Sequence, residues 1–275
     1  MILTDSRDLP DELWLQILPN THRATNVLAS LCLVNRQLHR ITVPWLYSSI
    51  THFANFNALT AFLRTACETP HLARLVRSLD LEYLFPAAVV GDDTTLRLMQ
   101  EALEQLINLK RLLVPGGYPS SIFSKSTFQL ESLTCAFDCD AGLEVFWRAQ
   151  HALREMHIFG YPNTSPSGCH CRADNTILPG LAVLRANAAW LAQLAPFRPS
   201  LRTIEALDGG LWLPVNCPPG ALDGVNMLII TDDGLNKNYS VLSRLSVRLD
   251  VLVVTNLALS YPVCEVDLKD PYLRC

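Results

Sequence analysis

The densest group of potential metal ligands is Cys169-His170-Cys171, inside the loop GYPNTSPSGCHCRAD at 160–174. Thiolate and imidazole are zinc donors, but zinc takes four ligands, commonly from Cys pairs two to four residues apart. Adjacent Cys-His-Cys lacks that spacing, and further donors would have to come from Cys135 or Cys139. Cys135 falls at an apolar position of a recurring phrase and reads as core. His151, His157, Asp138, Asp140 and Glu144 offer acid–base groups, yet no pattern pairs a nucleophile with a base and an orienting third group. Gly116-Gly117 and Gly209-Gly210 lack the following Lys-Ser/Thr of a phosphate loop. The expectation is no catalytic residue, no metal, no cofactor and no enzyme activity.

Composition narrows the classes further. The chain has 275 residues, 49% of them apolar and only 17% charged, so it can bury a large core. A formal charge of −4 disfavours a nucleic-acid binder that works through a strong positive face. No apolar run approaches the roughly 18 residues of a membrane span. The start, MILTDSRDLPDE, has neither the basic nor the apolar region of a secretory signal. Nine scattered cysteines then read as free thiols of the cytoplasm or nucleus.

Two regions of different character position these residues: a helical head at 5–50 and a body at 51–275. In the head, Pro10 suits a first helical position, where its missing amide hydrogen costs nothing. Leu9, Leu13 and Ile17 share a face, with Trp14 and Leu18 beside it. Pro19-Asn20 ends this helix. Val27, Leu28, Leu31 and Cys32 mark a second, and Asn35 precedes a short third near Arg36 to Ile41. Pro44 is expected to stop or redirect the chain before Trp45, Leu46 and Tyr47. Three helices in about 40 residues form a marginal core that needs support from the body or from a partner.

The head resembles an F-box of the fungal type. Leu9-Pro10, Glu12-Leu13, Ile17-Leu18, the apolar run Leu28 to Val34, Asn35-Arg36 and the closing Pro44-x-Leu46-Tyr47 carry the resemblance. Asn35 stands where the family usually has cysteine, and Leu38 where it usually has an aromatic residue. The resemblance implies a three-helix fold that docks on a Skp1-like adaptor and, through it, a cullin. By position the docking residues would be Leu9, Pro10, Leu13, Ile17, Leu18, Leu31 and Val34. The implied role is substrate recognition in a ubiquitin ligase. The alternative is a non-catalytic repeat scaffold whose head binds no adaptor.

The body repeats a phrase: an apolar residue, another three on, another two further. Copies start at Val76, Leu109, Leu130, Leu153, Leu181, Leu201, Val225 and Leu249, most of them 20–28 residues apart. That period resembles leucine-rich repeats, one short strand plus a returning segment. The asparagine usual three residues after the last apolar position is absent; Leu84, Gly117, Asp138, Tyr161, Ala189, Gly209, Asp233 and Leu257 stand there. The expected fold is α/β, the three-helix F-box followed by an irregular leucine-rich-repeat-like solenoid with parallel strands. An ordinary α/β domain with a mostly parallel sheet is the competitor. Helices are expected at 58–67, 94–107, 141–150 and 187–194. Gly/Pro-rich loops at 114–126, 160–174 and 207–224 would offer Tyr118, Tyr161 and Trp212 to an unknown target protein.

Overall fold

The computed structural model describes residues 10–18, 25–51, 53–81, 93–116, 118–137, 140–159, 176–195, 198–207, 224–232, 250–256 and 261–267. The head holds α1 (Asp11–Ile17), α2 (Thr25–Cys32) and α3 (Arg36–Ser48). Pro10 is the N-cap of α1, one position before the first helical residue expected for it. Asn35 caps α3: its side chain accepts the Leu38 amide at 2.8 Å, one of the donors that a helix start leaves without a partner. Leu38 is itself buried. The two departures from the F-box pattern thus cap and pack the third helix.

Pro44 does not stop that helix. α3 continues through it to Ser48. Proline inside a helix costs about 3 kcal/mol. Here Trp45 and Leu46, just after it, pack against a small core of Leu18, Leu28 and Ile41, which works against that cost.

Strand β1 (Ser49–Ile50) follows α3 directly and begins the sheet. The others are β2 (Ser78–Asp80), β3 (Arg111–Val114), β4 (Ser132–Cys135), β5 (Glu155–Ile158), β6 (Val183–Ala186), β7 (Thr203–Ala206), β8 (Met227–Asp232), β9 (Val251–Asn256) and β10 (Tyr261–Asp267). They lie side by side in chain order, β1 to β9 parallel and β10 antiparallel to β9. The order never reverses among the described strands, so the sheet lacks the switch-point crevice where doubly wound α/β folds bind ligands.

The apolar phrase dictates this register. Leu79, Leu112, Leu133, Met156, Leu184, Ile204 and Leu228 align as one row. Val114, Cys135, Ile158, Ala186, Ala206 and Ile230 align as the next. From the Val76 copy to the Val225 copy, all three phrase positions are buried in every copy. Residues two apart in a strand share a face, so the two strand positions enter the core together. The eighth start, Leu249, lies outside the described residues.

Helices α4 (Phe56–Glu68), α5 (Pro70–Ala73), α6 (Asp93–Gln105), α7 (Ala141–Ala149) and α8 (Ala188–Leu194) cover the apolar face. Asn55, Asp140 and Asn187 cap α4, α7 and α8. The loop expected at 114–126 is partly a buried 3₁₀ turn, Ser120–Phe123. Phe123 stacks on Phe146 at 4.2 Å between ring centroids, and Trp147 meets Trp190 edge-on at 5.9 Å, so aromatic rings join successive turns.

Polar ties between turns come from the residue just before the phrase. Asn108 Nδ2 donates to the Arg74 carbonyl at 2.7 Å, and Ser200 Oγ donates to those of Pro179 and Leu181. Gln129 Nε2 donates to the Ala149 carbonyl at 2.9 Å. At the same place Gly180 approaches the His151 carbonyl so closely that a Cβ would lie 3.2 Å from it. Buried Gln150 adds a second tie: it accepts the Leu130 amide at 2.8 Å and donates to the Phe128 carbonyl at 3.2 Å. Gln150→Leu strands both backbone groups away from water and is expected to cost about 2–4 kcal/mol. Gln129→Ala, whose bonds face water, is expected to cost less than about 1 kcal/mol. Urea midpoints of the two variants measure the difference.

Candidate functional site

The head's small core leaves much apolar surface uncovered. In α1, Trp14 is half-buried and Leu18, just past the helix end, is fully buried, while Leu13, Leu15 and Ile17 are exposed. Val27 on α2 is exposed, and in the following turn Leu33 is 87% and Val34 65% exposed. Of the residues expected to dock, Pro10, Leu13, Ile17 and Val34 are accessible. Leu31 is half-buried against the head core, and Leu18 belongs to that core and offers no docking surface. Leu9 lies outside the described residues. Leu15, Val27 and Leu33 join the exposed set beyond those expected. Leu15 follows half-buried Trp14 and Val27 precedes buried Leu28, each about 100° round its helix, and Leu33 lies in the turn beyond α2.

α1 buries none of its own seven residues, so its placement depends on few contacts. Trp14 supplies one. Asp11 supplies another: its carboxylate accepts Gln37 Nε2 at 2.7 Å and Arg40 Nη2 at 2.5 Å, both from α3. An exposed ion pair of this kind is worth about 0–1 kcal/mol, so it orients the helix more than it stabilises the fold.

In the body, Tyr118 is only 4% exposed, its hydroxyl is buried, and burial pushes its pKa up to about 12. It pins its own segment and cannot contact a target, because the loop expected to present it packs inward. Tyr161 and Trp212 lie outside the described residues, as do Asp138, Cys139 and Cys169-His170-Cys171. Cys135 is buried, and burial raises its thiol to about 12 despite a hydrogen bond with the Phe137 backbone, which places it with the core. Among the described residues no group of three His, Cys, Asp or Glu is arranged to hold a metal ion. Asp140 accepts the Ser120 hydroxyl and the Leu143 amide, and Glu144 pairs with Arg148, so these carboxylates have structural duties. A cleft of about 460 Å³ between α4 and α6 is lined by Arg64, Asp93, Thr94, Arg97, Leu98 and Glu101. His151 is exposed at the end of α7's turn.

The sheet face opposite the helices is polar over much of its breadth. Asp80, Leu113, Thr134, His157, Arg185, Glu205 and Ile229 form one row across it. Arg185 Nε meets Glu205 Oε2 at 2.9 Å. His157 lies against Phe159, ring centroids 3.9 Å apart. Burial, reinforced by the Arg185 charge, lowers its pKa to about 4.

No protein-family model and no curated protein matches the chain. No described helix is long and apolar enough to cross a membrane.

The unfolded chain takes up a proton at His157 near its ordinary value of 6.5, whereas the folded protein resists until about pH 4. The unfolded state therefore binds more protons across that window, and stability falls as pH falls through it. The contribution is complete above pH 6.5. His157→Gln is expected to flatten this part of the profile, as read from melting temperatures taken between pH 7.5 and pH 4.

Proposed function

We propose that this chain is the substrate-recognition subunit of a Skp1–cullin–F-box type ubiquitin ligase, acting in the cytoplasm or nucleus. The observation that carries the reading is the set of apolar side chains left exposed around a minimal core, Leu13 and Ile17 on one face of α1, with Leu15, Leu33 and Val34. Large apolar side chains gathered in water mark an interaction site. The F-box resemblance names the partner, a Skp1-like adaptor that bridges to a cullin.

The body is read as an irregular leucine-rich array. Its support is the sequential parallel sheet, whose apolar rows follow the recurring phrase. The role of such an array is positional. It holds a target protein while the head is docked, which raises the effective concentration of a target lysine near the conjugating enzyme. No group in this chain needs to touch the reacting atoms.

The test is capture of purified Skp1 adaptor by the intact chain. The unsubstituted chain is expected to bind. Leu13→Asp/Ile17→Asp is expected to weaken binding about 30-fold or more, the loss typical of a central contact pair. Because both side chains are exposed, its circular dichroism spectrum and melting temperature should be unchanged. No capture by the unsubstituted chain overturns the ligase reading in favour of a scaffold without adaptor binding. Undiminished capture by the variant overturns the assignment of these residues.

A further inference from the structure

The seven residues of α1 make too short a helix to persist alone in water, where about 12–15 are needed, so α1 depends on what holds it. Pro10 caps it without a side-chain hydrogen bond. Asp11, Trp14 and Leu18 recur at the i, i+3, i+7 spacing of one helical stripe. Trp14 and Leu18 meet the head core. Asp11 places a carboxylate where a third apolar contact of that stripe would stand, and α3 meets it with polar partners. Gln37 Nε2 and Arg40 Nη2 donate to its two oxygens at 2.7 Å and 2.5 Å. Gln37 and Arg40 stand on one side of α3, at i and i+3, and the Asn35 cap fixes the turn from which they project.

The exposed residues assigned to docking divide between these anchors. Ile17 adjoins buried Leu18 at the end of the helix. Leu13 belongs to the first turn, where its amide donates to the Pro10 carbonyl at 3.1 Å. That turn contains no fully buried residue: Pro10, Glu12 and Leu13 are exposed, Asp11 and Trp14 half-buried. Its direct polar tie to α3 is the Asp11 carboxylate.

We propose that Asp11 is a positioning residue for adaptor docking, a latch that holds the first turn of α1 on α3 and so sets where Leu13 stands relative to Ile17. The inference rests on the proposed adaptor docking and deepens it by naming what presents the docking surface. With the latch released, the first turn frays while Trp14 and Leu18 keep the second half seated. Leu13 then loses its fixed place, and Ile17 keeps its own. An exposed pair of this kind limits the effect to about fivefold in affinity.

Two measurements test the latch. In the chain alone, hydrogen exchange read by mass spectrometry is expected to quicken over residues 10–18 in Asp11→Ala, with the body unchanged. In capture of purified Skp1 adaptor, Asp11→Ala is expected to weaken binding about fivefold. Arg40→Ala should weaken it as well, and Asp11→Ala/Arg40→Ala no further than Asp11→Ala, because the two residues share one contact. Leu13→Ala is expected to cost less affinity in the Asp11→Ala background than in the parent, whereas Ile17→Ala costs the same in both. The Asp11 and Arg40 side chains are 36% and 73% exposed, so circular dichroism of the variants should match the parent. The proposal is overturned by unchanged exchange over residues 10–18, by undiminished capture with Asp11→Ala, or by Asp11 and Arg40 effects that simply add, which would place Asp11 in direct contact with the adaptor. The exchange measurement contains no adaptor, so its failure and the failure of the ligase reading are separate results.

Discussion

Each copy of the apolar phrase offers three buried side chains and has too little structure of its own to cover them, so the body depends on stacking. A strand of three or four residues with a short helix exposes both edges of its apolar face; only a neighbouring turn removes them from water. Burying one Leu, Ile or Met side chain contributes about 1.5–3 kcal/mol. That gain is collected only when strands align in register, because a one-residue slip turns every apolar side chain to the open face. Chain order, strand order and the parallel direction of β1 to β9 all follow from this constraint.

Stacking of the strands also sets the polar chemistry between them. Backbone groups between turns must be paired once buried. Gln150 pairs the buried Leu130 amide and Phe128 carbonyl, while Asn108, Gln129 and Ser200 tie neighbouring strands nearer the surface and Gly180 takes the alternative of close backbone approach. Asp140 and Asn187 are used differently, to start the returning helices α7 and α8.

The head is governed by the opposite circumstance. Its core of Leu18, Leu28 and Ile41 is too small to cover the apolar residues of α1, α2 and the turn after α2. Asp11 ties α1 to α3, and the direct passage from α3 into β1 anchors the head on the sheet. The proposed adaptor docking uses apolar surface the head cannot bury.

The apolar phrase, the helices α4, α6, α7 and α8, and the three-helix head were legible in the sequence because periodicity is local. Parity within a strand also made the inward set readable, Cys135 included. Tertiary structure decided what local patterns leave open. Leu13 and Leu18 are both apolar head residues, but only packing on Leu28 and Ile41 sends Leu18 inward and leaves Leu13 in water. Pro44 reads locally as a stop, yet contacts of Trp45 and Leu46 carry the helix through it. Tyr118 reads as a loop aromatic, yet its segment folds into the gap beneath the sheet. The row of Asp80, Thr134, His157, Arg185 and Glu205 needed strand register, since residues so far apart in sequence share one face only when β2 to β7 align. Periodicity determines which way a side chain points from its own element; only the packed neighbours determine whether anything is there to meet it.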